Sequence, residues 1–144
     1  MSVAFSYSKN IKLTISVADD IKSIQTAQLY LQEILQNFVT NAIKYTKKGA
    51  ILVHVRTNAA GDAVFSVADS GIGLSKSDQK RVFDKFFRSE DFRTRESSGT
   101  GLGLYVTAKL AHRLNATIDL ESELNKGTTF TITVPSLNPS GHNR

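Results

Sequence analysis

Asn37-Phe38-Val39-Thr40-Asn41-Ala42-Ile43-Lys44-Tyr45 is the segment from which the architecture follows. Its apolar positions continue a stripe running through Leu31, Ile34, Leu35, Phe38, Ala42 and Tyr45, the spacing of one face of an α-helix. The stripe predicts a long amphipathic helix over 27–45. Beside it, Glu33, Asn37, Asn41 and Lys44 form a polar strip. Asparagine is a poor helix-interior residue because its amide competes for backbone hydrogen bonds. Two in register are either a solvated face or ligands. A neutral amide oxygen suits Mg²⁺, which takes one or two protein oxygens together with phosphate oxygens and water. In that second case Lys44, one turn on, meets phosphate charge and Tyr45 borders the same surface.

On the N-terminal side of this helix, Ile11, Leu13, Ile15 and Val17 alternate with Lys12, Thr14 and Ser16, so the chain is expected to open with a strand over 10–17. Lys47-Lys48-Gly49 closes the helix with basic residues at its negative end and a glycine to leave it. Strands over 50–57 and 63–68 are joined by Asn58-Ala59-Ala60-Gly61-Asp62, a loop of hairpin length and composition. A short helix capped by Ser75, a second long helix over 102–114, and strands over 116–121 and 128–134 complete the order, with Pro135 ending the last strand. This pattern predicts an α+β fold: a two-layer α/β sandwich with helices on one face of a mixed, mainly antiparallel sheet. One domain is expected over 1–135, followed by a flexible tail over 136–144.

Composition agrees. A chain of 144 residues that is 40% hydrophobic, with two prolines, suits one compact domain. The absence of cysteine excludes disulfides and thiolate metal sites and favours a reducing compartment. Without an apolar run of membrane length the chain is expected to be soluble. A net charge of +5 favours anionic partners without choosing between nucleic acid, a nucleotide and an acidic protein.

Two glycine-rich turns narrow the choice. Asp69-Ser70-Gly71-Ile72-Gly73 ends an apolar strand; it reads either as an ordinary turn or as a carboxylate that accepts a hydrogen bond from a base amine while Gly71 and Gly73 let the backbone approach the flat ring. Gly99-Thr100-Gly101-Leu102-Gly103-Leu104 leads into a helix, so backbone N–H groups and the positive helix end can face phosphate. A dinucleotide fingerprint competes, with Asp119 lying 20 residues beyond Gly99. Against it, the glycines follow the polar run Arg93 to Ser98, and their spacing is G-x-G-x-G. Residues 75–98 hold seven Lys or Arg, five Asp or Glu, and four of the eight phenylalanines. That mixture predicts a lid that docks on an apolar surface, with Lys85 and Arg88 able to swing toward phosphates. It also fits a nucleic-acid surface, but no basic stripe elsewhere matches, so no nucleic-acid partner is expected.

Taken in order, these segments resemble the catalytic ATP-binding domain of histidine protein kinases, within the wider group of gyrase, heat-shock chaperone and mismatch-repair ATPases. Asn37 to Tyr45 is similar to the N box of that group, Asp69 to Gly73 to its first glycine box, Val82 to Phe87 to its phenylalanine box, Gly99 to Leu104 to its second glycine box, and Gly127-Thr128-Thr129-Phe130 to the closing box. The resemblance implies the Bergerat fold, ATP and Mg²⁺ as ligands, Asn41 as a holder of the metal, Asp69 at adenine with Thr128 assisting, and residues 74–98 as the ATP lid. Nucleotide contacts are then expected from Tyr45, Gly71, Ile72, Gly73, Lys85, Phe86, Arg88 and the residues Gly99, Thr100, Gly101, Leu102, Gly103 and Leu104. Asn37 and Lys44 are the residues expected to serve the chemistry.

In hydrolysing relatives a glutamate stands at the position of Asn37 and orients water. An amide is a poor base, so the resemblance implies phosphoryl transfer to a histidine and not hydrolysis. Ala27 and Asn115-Ala116 depart from the pattern, which has an acid and Gly-Gly there. His54, His112 and His142 sit in no His-Glu or His-Asp hairpin, so the acceptor is expected on a separate dimerisation domain, with a response regulator downstream. The domain is expected to be monomeric by itself and cytoplasmic, in a parent that can be membrane-anchored.

Overall fold

The computed structural model describes residues 1–8, 10–89, 91 and 101–136. The chain runs β1 (Ser2–Ser8), β2 (Ile11–Val17), α1 (Gln28–Tyr45), β3 (Gly49–Thr57), β4 (Ala63–Asp69), α2 (Lys76–Arg81), α3 (Gly103–Arg113), β5 (Thr117–Glu123) and β6 (Gly127–Val134). The strands form one six-stranded sheet in the order β1-β2-β3-β4-β6-β5. β2 and β3 pair in parallel, joined across α1, and every other neighbouring pair is antiparallel. The expected mixed, mainly antiparallel sheet with helices on one face is therefore the observed architecture.

The strand reading needs one correction, because the chain opens a strand earlier than expected. β1 pairs antiparallel with β2, Val3 opposite Ile15 and Phe5 opposite Leu13. As an edge strand it leaves Val3 and Phe5 40% and 48% exposed, so its alternation marks no buried face and carries a weak signal.

α1 exists for the reason its stripe predicts. Ile34, Phe38, Ala42 and Tyr45 are buried, spaced by three and four residues so that one face lies on the sheet. Phe38 stacks on Phe130 of β6 with ring centroids 5.0 Å apart, and Phe83 meets the same ring edge-on at 6.0 Å. α1 packs on α3 and β4, and α3 on β5. No helix among the described residues is long and apolar enough to cross a membrane.

Strand register explains where a site can form. On the helix-covered face, Ile15, Val53, Val67, Phe130 and Leu120 make one row across five strands, and Val17, Val55, Phe65, Ile132 and Ile118 make the next. The row on the other side of the first is Leu13, Ile51, Asp69, Thr128 and Ser122. Side chains two apart on a strand share a face, so the apolar layer turns polar in the row of Asp69, at the end of the core.

Candidate functional site

A cleft of about 230 Å³ opens between α1 and the start of α3. Asn37, Asn41, Lys44 and Tyr45 line it from α1, Gly101, Gly103 and Leu104 from the opposite side, and Thr40, Val82 and Phe87 complete the wall. The two asparagines are thus neither free surface nor core: both are half-buried on the wall of one concavity.

Asn37 does a second job. Its side-chain Nδ2 donates to the carbonyl of Gly103 at 3.2 Å and to Thr107 Oγ1 at 3.1 Å, tying α1 to the first turn of α3. Thr107 is fully buried and its own hydroxyl donates to Gly103 O at 2.9 Å. Leu102 caps α3 with no side-chain hydrogen bond, and the first turn of a helix carries backbone N–H groups without intrahelical partners. Lys44 is drawn into the wall. Burial, and then the positive charge of Arg88, hold its ammonium below the usual 10.5. Two cations brought together beside a helix N-terminus favour an anion between them.

The row of Asp69 lies next to this cleft. Burial pushes the Asp69 carboxyl above its usual 3.8, opposed by hydrogen bonds from the backbone N–H groups of Gly71 and Thr128. The Gly71 bond is 2.9 Å long. The turn after Asp69 docks on the end of α1, where Ile72 N donates to Tyr45 O at 3.1 Å. Glycine is required there: a Cβ on Gly71 would collide with the Tyr45 carbonyl, and Gly73 has φ +69 with Glu123 O where its Cβ would stand. On the far side the β5–β6 turn closes in through Asn125 N to Ile72 O at 2.6 Å. Tyr45 itself, buried beneath this turn, has its phenol pushed up to about 12 by burial and by the negative charge of Asp78.

Seven of the expected residues therefore meet in the cleft: Asn37, Asn41, Lys44, Tyr45, Gly101, Gly103 and Leu104. Asp69, Gly71, Ile72 and Gly73 form the adjoining turn, with Thr128 of β6 paired beside Asp69. Phe86 is 61% exposed, while its neighbour Phe87 lines the cleft. Arg88 is exposed, and the Lys85 ammonium lies 5.4 Å from the Phe86 ring and 5.8 Å from that of Tyr105. Leu102 precedes α3 as its cap. Gly99 and Thr100, and the lid beyond Asp91, lie outside the described residues.

Sequence reasoning passed over Ser122. Its hydroxyl accepts from Leu74 N at 2.8 Å and lies 2.8 Å from Thr128 Oγ1, so it braces both the turn after Asp69 and the last strand. The available signal was parity: Ile118, Leu120 and Ser122 share one face of β5, and the third is polar where Asp69 and Thr128 are.

A mixed sheet with one helical layer, a crossover helix bearing two asparagines, and a glycine-bounded cleft with a half-buried acid beside it define a nucleotide-binding ATPase-type domain. The chain belongs to the family of histidine kinase-, DNA gyrase B-, and HSP90-like ATPases, which it matches over residues 26–138. Among curated relatives it is 39% identical, over 75% of its length, to the sensor-like histidine kinase SenX3 of Mycolicibacterium smegmatis. It is 33% identical, over 90% of its length, to the histidine protein kinase SaeS of Staphylococcus aureus. It spans 28% of the first protein and 37% of the second, so it corresponds to about a third of either. Among solved structures, full-length ShkA in complex with AMPPNP superposes with a TM-score of 0.77 at 28% identity, over 88% of this chain and 26% of that one. The mycobacterial sensor histidine kinase MprB shares the fold, with a TM-score of 0.73 at 23% identity, over 88% of this chain and 84% of that one.

Proposed function

We propose that this chain binds Mg²⁺·ATP in the cleft between α1 and α3 and passes the γ-phosphoryl group to a histidine on a separate helical dimerisation domain, as the catalytic part of a sensor histidine kinase. The observation that carries the reading is the convergence of Asn37, Asn41 and Lys44 with Gly101, Gly103 and Leu104 at the start of α3 on one cleft. The kinship with SenX3 and SaeS supports the kinase half of it.

Adenine takes the turn at Asp69, whose carboxylate accepts from the exocyclic amine while Gly71 and Gly73 admit the ring and Thr128 and Ile72 border it. The triphosphate runs along the cleft toward the N–H groups at 101–104, where Lys44 and Arg88 offset its charge and Lys85 stands near. Asn41 offers one hard oxygen on the cleft wall, which fits an ion that draws its remaining ligands from phosphates and water. Bound there, Mg²⁺ would offset the negative charge of the phosphate oxygens. In the transfer the bond from the β,γ-bridging oxygen to the γ-phosphorus breaks, a bond from the acceptor nitrogen forms, and ADP leaves. The chain's contribution is positioning and electrostatics, because Asn37 spends its N–H groups on α3 and has no basic group for water. A response regulator takes the phosphoryl group onward in such a system.

Calorimetry with ADP and ATP, with and without Mg²⁺, is the first test; binding of neither would overturn the reading. Mixing the chain with a histidine-bearing helical domain and radiolabelled ATP is the second. Label on the histidine is expected, and steady phosphate release without transfer would convert the assignment to a hydrolase.

A further inference from the structure

Asp78 is a carboxylate only 2% exposed, on the six-residue helix α2, and it does not line the cleft. Its Oδ2 accepts from Ser89 Oγ at 2.6 Å, the length of a charge-assisted hydrogen bond. Ser89 Oγ in turn accepts from Asp91 N at 3.1 Å. The other oxygen, Oδ1, is buried without a hydrogen bond and meets Arg81 Nη2 at 3.6 Å. The Arg81 guanidinium lies 5.8 Å from the centre of the Phe87 ring, on the cleft wall.

Burying a carboxylate costs free energy that an apolar residue on a short helix would avoid, so its placement asks for a reason. The segment it holds supplies one. Phe86 has φ +64, a conformation strained for any residue with a side chain, and its N–H donates to Gly101 O at 2.9 Å, at the entrance to α3. Strain of this kind persists only when the chain is fixed on both sides. On the N-terminal side Val82 is buried and Phe83 packs on Phe130. On the C-terminal side the anchor is the bond from Ser89 to Asp78.

We propose that Asp78 is a positioning residue: its clasp on Ser89 holds residues 86–89 in the strained path that sets Phe87 and the Gly101 carbonyl against the cleft, and so keeps the cleft ready for the triphosphate. This rests on the nucleotide reading for its ligand but not for its mechanics. The clasp acts through Phe87 and Gly101 and touches no substrate.

The test compares the full chain with Ser89→Ala, Ser89→Thr and Asp78→Asn. Amide hydrogen exchange at 86–89, without nucleotide, is expected to rise about tenfold in Ser89→Ala, the loss of one charge-assisted bond. The dissociation constant for a non-hydrolysable ATP analogue is expected to rise by about the same factor, with the melting temperature little changed and Ser89→Thr restoring both. Asp78→Asn should fall between Ser89→Ala and wild type. Unchanged exchange in Ser89→Ala would overturn the clasp, as would a loss of affinity that only parallels a loss of melting temperature and that threonine does not restore. If wild type binds no nucleotide, the functional reading fails while the exchange arm still decides the clasp.

Discussion

On the function proposed above, Asn41 and Asp69 divide the recognition of one ligand between them. Replacing Asn41 by alanine removes one oxygen from the cleft wall and no core packing, since the side chain is half-buried. The affinity for ATP in the presence of Mg²⁺ is expected to fall roughly 10- to 100-fold, with metal-free ADP binding little changed; calorimetry under both conditions checks it. Asp69 carries a pH signature. Its folded-state carboxyl sits above 3.8, so the folded chain holds that proton more firmly than the unfolded chain. The resulting stability is fully present below 3.8 and is lost as pH rises through the raised value, leaving a burial penalty at neutral pH. Asp69→Asn is therefore expected to melt at or above the wild-type temperature at pH 7, an advantage that disappears in acid, while losing roughly tenfold or more in nucleotide affinity. Thermal melts across pH beside calorimetry decide it. At this scale the sequence was informative about chemistry and less so about geometry. The two asparagines betrayed themselves by being poor helix formers in register. The sequence pointed to Phe86 as the nucleotide contact, but Phe86 sits in a left-handed turn with its ring 61% exposed, and it is Phe87 that lines the cleft.

The elements owe their legibility to burial. α1 was readable because four buried side chains repeat at helical spacing, and Phe38 is the centre of that set, with no exposure and a ring stacked on Phe130. Phe38→Ala is expected to cost about 3–5 kcal/mol in stability, measured by urea denaturation; a loss near 1 kcal/mol would mean the α1–sheet contact relaxes around the cavity. α2 was readable from its cap, since Ser75 Oγ does accept from Asp78 N at 3.0 Å. β1 was not, because an edge strand exposing both of its larger apolar residues has little of the contrast between faces that periodicity measures. Ser122 escaped for the complementary reason: the row it shares with Asp69 and Thr128 exists only once three strands are in register.

Across the whole molecule the strand order matters more than any single contact. β4 and β5 are both paired to β6, so the final strand is the common neighbour of two earlier ones. A chain ending at residue 126 is expected to show no cooperative thermal transition, because it would lack Phe130, Ile132 and Val134, each 2% exposed or less, from the core. A broad, gradual melt is the expected trace, and a sharp one would mean the remaining strands re-pair.

The same order sets a schedule during synthesis. Ribosomes add about 5–20 residues per second, so several seconds separate the completion of β4 from that of β6. Throughout that interval β4 has a vacant hydrogen-bonding edge, and the phenylalanine against which α1 stacks has not been made. The polar row beside the cleft and the core are finished by the same strand, Thr128 belonging to the one and Phe130 to the other. On the nucleotide reading proposed above, a nascent chain has no finished site while it is being made, and ATP acts afterwards, by mass action on the completed domain.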